Sequence, residues 1–387
     1  MSELKMYRKR QKRIKGWRLT VLVVLLAAAT TLGCLHQLKL AVRPVGVDAL
    51  CPFGGIESAI TLIATGAMLE RVAWSSFILL LATLIIALVF RRSFCGHICP
   101  LGALQELAAR LGRVIFGKRL TVPTAVDRPL RFLKYAVLVV FVTLSVILGQ
   151  LAIRPYDPWA AWNHLIGPDL FTGFLVGFIV LVASLIGSLL FDRIFCKYLC
   201  PMGGFLAAIR RVGWFRVRRN DSTCTHCYAC DKACPVNIKV EAVSEVHSLE
   251  CIDCNLCVNA CPVPNTLTLT GPRGRTRASA AGALWITVAV FAVVIGITSI
   301  TGSFQWTLQP LAKTADLDQA FDPAEIKGSN TFKEVSEVTG IPAAEFLQRF
   351  NITEEEFTNP IRDVAHRETG GFEVEELREF VRERFKQ

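Results

Sequence analysis

Twelve of the fourteen cysteines stand at spacings suited to metal–thiolate chemistry, and eight of those make two copies of one pattern. Residues 224–235 read CTHCYACDKACP and residues 251–262 read CIDCNLCVNACP. Each is C-x2-C-x2-C-x3-C-P, the spacing by which bacterial ferredoxins hold a cubane [4Fe–4S] cluster. Three thiolates of one tight turn reach three irons, and the fourth ligand has to come from another direction. One cluster is therefore expected on Cys224, Cys227, Cys230 and Cys261, and a second on Cys251, Cys254, Cys257 and Cys234. Zinc could use some of these pairs and a disulfide framework could use all eight, but two intact copies argue against both.

A second constellation is duplicated. RSFCGHICPLGAL (92–104) and RIFCKYLCPMGGF (193–205) share R-x-F-C-x3-C-P-x-G, and each follows an apolar run. The C-x3-C spacing predicts two thiols one helical turn apart on one face. Cys95, Cys99, Cys196 and Cys200 would then lie at one membrane depth. They could hold a further metal site or cluster, act as a thiol–disulfide relay, or shape the contact with the ferredoxin module. Such internal repeats suggest two pseudo-symmetric halves around a shared feature.

On the opposite side, the loops before the two repeats carry Glu57, Asp157, Trp159, Trp162 and His164, with Arg43 and Arg154 near them. Aromatic walls and proton acceptors at a membrane interface suit a quinol site; an aromatic belt with capping carboxylates is the alternative. Cys34 and Cys51 could form a disulfide there or remain free thiols. The histidines do not form the paired, two-depth set that a di-haem protein needs.

These residues have to be placed by a membrane scaffold. Of 387 residues, 52% are hydrophobic, and mean hydropathy is +0.43. Apolar runs at 19–38, 72–90, 135–153, 171–191 and 278–300 are long enough to cross at about 20 residues per span. Residues 56–69 are too short and predict a re-entrant or interfacial helix, while 103–116 predict an interfacial amphipathic helix. Segments 1–18, 91–134 and 192–277 hold 8, 9 and 12 Lys and Arg, whereas 38–71 and 151–170 hold 3 and 1. The positive-inside rule puts the N-terminus and the ferredoxin cysteines in the cytoplasm and the C-terminal tail outside. Net charge is +11, divided as +18 over 1–302 and −7 over 303–387. Membrane orientation accounts for the basic part, and the sign of the tail argues against nucleic acid.

At the two FCxxxCP motifs (94–100 and 195–201), CPFGG (51–55), DPW (157–159) and the tandem ferredoxin motif, the chain resembles NapH-type membrane ferredoxins. It also resembles the C-terminal membrane part of NosR-type proteins. The resemblance spans about residues 15–265 and implies electron transfer between the quinone pool and redox partner subunits. The fifth span and the external tail depart from the NapH pattern, and the long N-terminal region of NosR-type proteins is missing.

The expected fold is a membrane α-helical bundle of five transmembrane helices, internally duplicated, with an inserted 2[4Fe–4S] ferredoxin-like domain and a small C-terminal α-helical domain. The expected parts are a basic N-terminus (1–18), a four-helix membrane domain (19–214), the ferredoxin domain (215–272), a fifth span (278–300) and an acidic helical domain (303–387). In that last part Thr331 and Glu334 read as a capping box. The protein is expected in the inner membrane, in contact with lipid and the quinone pool.

Overall fold

The computed structural model describes residues 2–38, 46, 51–66, 74–117, 120–167, 169–274, 276–306, 323, 326, 328, 330–359, 361–365 and 371–385. Arg43, named above beside the quinol loops, lies outside them. The chain divides into two units, 1–306 and 307–387.

Unit 1 begins with α1 (Ser2–Gln37), α2 (Pro52–Thr65), α3 (Trp74–Phe90), α4 (Ser93–His97) and α5 (Pro100–Phe116). It continues with α6 (Thr124–Leu148), α7 (Pro158–Asn163), α8 (Leu170–Gly173), α9 (Leu175–Leu190), α10 (Ile194–Tyr198) and α11 (Pro201–Ile209). By length and composition α1, α6 and the later α14 (Ala280–Ile300) can cross a membrane, while α3 and α9 are shorter apolar helices. The basic segment 1–18 is not a separate flank: it is the first half of α1, and Arg18 is buried. The run 171–191 is likewise broken, between α8 and α9.

Proline fixes where several of these helices start. Pro52, Pro100, Pro158 and Pro201 each open a helix, where a missing N–H is harmless and φ is preset. The residue before each is pushed out of helical geometry, as at Cys99 (ψ 116°) and Cys200 (ψ 112°). The expectation that each C-x3-C lies on one helix face is therefore corrected. Cys95 and Cys196 sit in the five-residue helices α4 and α10, and Cys99 and Cys200 are the N-caps of α5 and α11.

The duplication runs deeper than the motifs. α2 packs on α3 as α7 packs on α9, and α1 packs on α5 as α6 packs on α11. Each long helix also crosses to the other half: α6 lies against α2, and α1 against α7. The repeat unit thus includes α1 and α6, whose sequences show no shared motif.

The ferredoxin part carries β1 (Arg216–Arg219), α12 (Ala229–Ala233), α13 (Leu256–Ala260), β2 (Leu267–Thr270) and β3 (Arg277–Ala278). The strands form one antiparallel sheet in the order β1-β2-β3, with Val217 opposite Leu269 and both buried. Its inner side joins Val236, Val246, Ile252 and Val258 in a core continuous with Phe90, Phe94 and Met202 of the helices. α14 (Ala280–Ile300), capped by Ser279, packs on α3 and α4.

Unit 2 contains α15 (Phe332–Thr339), α16 (Ala343–Arg349), α17 (Ile361–Ala365) and α18 (Val374–Phe385). Thr331 and Glu334 make the reciprocal capping-box bonds, and Gly340 ends α15 in the left-handed conformation. Phe332, Phe346 and Phe350 centre a core of its own.

Candidate iron–sulfur and thiol sites

The two C-x2-C-x2-C loops have the same backbone. His226 and Tyr228 in the first, and Asp253 and Asn255 in the second, occupy the left-handed region at matching positions. Two such residues in quick succession curl each loop around a hollow, and the loop then enters α12 or α13. Cys234 and Cys261 end those helices in extended geometry, each followed by proline. The helices pack together, which carries each terminal cysteine to the other loop. One hollow is lined by Cys224, Cys227, Cys230 and Cys261, the other by Cys234, Cys251, Cys254 and Cys257. Lined alike, they are equivalent nests. They differ in depth: Cys227 is exposed, whereas Cys254 is buried.

Among the described residues no three His, Cys, Asp or Glu side chains meet at a spacing fit for one ion. Three cysteines of one loop and one of the other line each hollow, so the donor sets fit [4Fe–4S] groups.

Cys95, Cys99, Cys196 and Cys200 are brought together. Burial pushes Cys99 and Cys200 far above the ordinary thiol range, and the neighbouring thiols add to it, Cys95 and Cys196 for Cys99 and all three others for Cys200. Two of the sulfurs accept a hydrogen bond. Gly203 N–H donates to Cys200 Sγ (3.3 Å), and Gln105 Nε2 donates to Cys196 Sγ (3.2 Å).

Two arginines from equivalent positions reach across the repeats. A Cβ at Gly102 would lie 3.0 Å from the Arg193 guanidinium, and one at Gly203 would lie 3.0 Å from that of Arg92. Arg193 also donates to Cys95 O (2.6 Å) and to Glu106 Oε2 (2.9 Å). Glu106 is shared with Arg18, which grips both its oxygens and donates to Gly96 O. Burial raises the Glu106 carboxyl, but Arg18 and Arg193 overcome it and hold the group well below the usual carboxylate range. His97 between the cysteines is neutral, since burial and Arg18 push it down to about 3.

The quartet adjoins one nest directly. A Cβ at Gly96 would fall 2.6 Å from Ile252 O and 2.8 Å from Cys254 Cα, so only glycine allows this approach. Lys134 of α6 pairs with Glu250 (2.6 Å), and Arg210 pairs with Asp253 (3.3 Å), both buried.

On the other side the structure separates the candidate quinol residues. Glu57 is fully buried on α2, accepts from Ser145 Oγ (2.8 Å) and has its second oxygen unpartnered. Asp157 caps α7 through Trp159 N and is close enough to act on the charge of Cys51 and Glu57. Trp159 and Trp162 turn toward α1, with Trp162 Nε1 donating to Thr30 Oγ1 (2.9 Å). His164 is occupied by Gln37, Asp169 and a stacked Phe174. Cys34 and Cys51 are free thiols. Aligning CPFGGIE (51–57) with DPWAAWN (157–163) puts Asn163 at the position of Glu57, and Asn163 Oδ1 is also buried without a partner. Sequence reading passed over Asn163, although the repeat itself was the signal.

A family model for a 4Fe-4S binding domain matches residues 72–119 and again 174–220, so each copy takes in one Cys-x3-Cys-Pro motif. A model for a 4Fe-4S dicluster domain matches residues 216–262. YccM of Escherichia coli (strain K12), named as a candidate electron transport protein, is 32% identical over 68% of this chain and 76% of its own length. The ferredoxin-type protein NapH of the same organism is 27% identical over 51% of this chain and 68% of its own. The regulatory protein NosR of Pseudomonas aeruginosa is 30% identical over 44% of this chain and 23% of its own. No solved structure matches the chain. With 76% of YccM covered at that identity, NapH and NosR among the relatives, and the 4Fe-4S family models on both cysteine regions, the chain belongs to the NapH/NosR-type family of 4Fe-4S ferredoxin electron-transport proteins.

Proposed function

We propose that this protein is an integral membrane carrier of electrons between the quinone pool and a redox partner, working through two [4Fe–4S] clusters in the two nests. The observation that supports it best is the crossed lining, three cysteines of one loop and one of the other in each hollow. Cys224, Cys227, Cys230 and Cys261 hold one cluster, and Cys251, Cys254, Cys257 and Cys234 the other. Each cluster, when bound, supplies one-electron storage. Quinol gives up two electrons and two protons, so two one-electron sites match one turnover.

The protein's own residues set the order. Cys254 lies against Gly96 at the membrane face, and the exposed Cys227 opens the other nest to a partner subunit. Cys95, Cys99, Cys196 and Cys200 hold a further metal or iron–sulfur centre beside the inner nest. In the opposite half Glu57 and Asn163 offer unpartnered acceptor oxygens to quinol hydroxyls, and Glu57 takes a proton. Asp157, Trp159, Trp162 and His164 shape the loops around them.

In this reading α1, α3, α6, α9 and α14 all cross the inner membrane, which sets the ferredoxin part in the cytoplasm and unit 2 outside. Anaerobically purified protein should contain about 8 Fe from the ferredoxin nests, and Cys227→Ala should lose one cluster. A reduced menaquinol analogue should bleach the cluster absorbance. Wild-type iron in the Cys227→Ala protein, or no bleaching, would count against the proposal. A C-terminal alkaline phosphatase fusion should be active and one after Arg277 inactive; a silent C-terminal fusion would put unit 2 inside.

A further inference from the structure

Arg92 is 1% exposed, yet among the described residues it forms no ion pair with a carboxylate. Its Nη1 donates to Leu249 O (2.8 Å), and its Nε has no partner. A buried guanidinium without a counter-charge is strongly unfavourable, so a compensating negative charge has to lie nearby. The groups that act on it most are Cys95, in its own repeat, and Glu250 and Cys200; Glu250 is already bound to Lys134. Arg193, at the equivalent position, is 0% exposed with an unpartnered Nε, and after Glu106 the groups that act on it most are Cys196 of the quartet and Cys254 of the inner nest.

The local charges do not cancel. Arg193 shares its one carboxylate, Glu106, with Arg18, and Arg92 has no carboxylate partner among the described residues, so positive charge is in excess beside the quartet. Four neutral thiols would leave that excess in a buried site. Four thiolates on a bare pocket would repel one another. A metal or iron–sulfur core removes both difficulties, because four thiolates outweigh the charge of a ferredoxin-type core and the whole stays anionic.

We propose that the pocket of Cys95, Cys99, Cys196 and Cys200 is built for a net-anionic tetrathiolate centre, with Arg92 and Arg193 as its crossed counter-charges and Arg92 as the residue that tunes its potential. This rests on the reading of the quartet as a metal or iron–sulfur site, and it adds the charge class of the occupant and two positioning residues. Hydrogen bonds and nearby charge set the potential of such centres. The reduced form carries one more negative charge, so removing a neighbouring cation disfavours it and removing a neighbouring anion favours it.

The test uses full-length protein, purified anaerobically, with metal analysis and potentiometric titration followed by electron paramagnetic resonance. The quartet signal is defined as the one lost in Cys95→Ala and in Cys200→Ala while both ferredoxin signals persist. Arg92→Gln is expected to lower the midpoint of that signal, Arg92→Lys to keep it near wild type, and Glu106→Gln to raise it. The ferredoxin midpoints should move less in every case. If wild-type protein carries no metal beyond the ferredoxin nests, the metal reading of the quartet fails and the proposal with it. If the quartet signal exists but Arg92→Gln and Glu106→Gln shift its midpoint in the same direction or not at all, the metal reading stands and the counter-charge proposal is overturned. Should Arg92→Gln lose the centre altogether, Arg92→Lys decides: retention supports a charge role, and equal loss refutes it.

Discussion

The two repeats build the same frame and use it differently. At the middle of the first Cys-x3-Cys stand Gly96 and His97; at the middle of the second stand Lys197 and Tyr198. Gly96 has given up its side chain so that the backbone of Ile252 and Cys254 can lie against it. Lys197 and Tyr198 instead reach outward to Asp127 at the start of α6, where Arg131 joins them. The ferredoxin module meets the two halves differently. On the first half it is held by close backbone packing. Around the second it is held by buried charge, Lys134–Glu250 and Arg210–Asp253. Symmetry makes the quartet, and the departure from symmetry decides which cysteine of the module faces it.

The strongest way to break this comparison is to remove one cluster at a time. Cys254→Ala should empty the nest beside Gly96 and also abolish quinol-driven bleaching of the cluster that remains. Cys227→Ala should empty the outer nest and leave bleaching of the inner cluster intact. Iron content and anaerobic absorbance measure both; equal loss of bleaching in the two variants would refute the order.

The two attachments should differ next in stability. Lys134→Met strands Glu250, 6% exposed, and breaking one side of a buried pair costs about 3–5 kcal/mol. Gly96→Ala forces a methyl into the backbone of Ile252 and Cys254, an overpacking worth about 1–3 kcal/mol. Both are read from the urea dependence of cluster absorbance. Lys134→Met combined with Glu250→Met should recover part of the loss, whereas Gly96→Ala has no such partner. If the packing variant proves the more damaging, charge is the lesser anchor.

Much of this was legible in the residues, for reasons that also explain what was not. The sets lining the two nests follow from the ferredoxin spacing: three closely spaced thiols share a turn, and the fourth, at the far end of a short helix and just before a proline, cannot. The duplicated R-x-F-C-x3-C-P-x-G announced the frame, and the capping box at Thr331 followed from a four-residue rule. The helix break between Cys95 and Cys99 was also in the sequence, in Pro100, but spacing was weighed there above proline chemistry. The equivalence of α1 and α6 was hidden, because apolar helices carry little beyond hydropathy. The roles of Arg18 and Glu106 needed the fold, since 88 positions separate partners that meet at 2.7 Å. Asn163 needed only an alignment of the outer loops.

The smallest effect tests an asymmetry inside the frame. Gln105 of α5 has Leu206 as its counterpart in α11, and both are fully buried. The amide works in both directions: its Oε1 accepts from Phe195 N (3.1 Å), and its Nε2 donates to Cys196 Sγ (3.2 Å). Gln105→Leu makes the two halves alike here with a side chain of similar size, so packing should change little. The loss is the acceptor of Phe195 N–H and, at 3.5 Å, of the buried Ser188 hydroxyl, about 1–3 kcal/mol for the orphaned amide, and one donor to the Cys196 sulfur. Ferredoxin iron should stay at the wild-type level, and the urea midpoint should fall modestly. The quartet midpoint should move down, in the same sense as in Arg92→Gln but by less, because a neutral dipole is removed rather than a whole charge. A shift larger than that of Arg92→Gln would mean that hydrogen bonds to sulfur, rather than the crossed arginines, dominate the field at the four thiols.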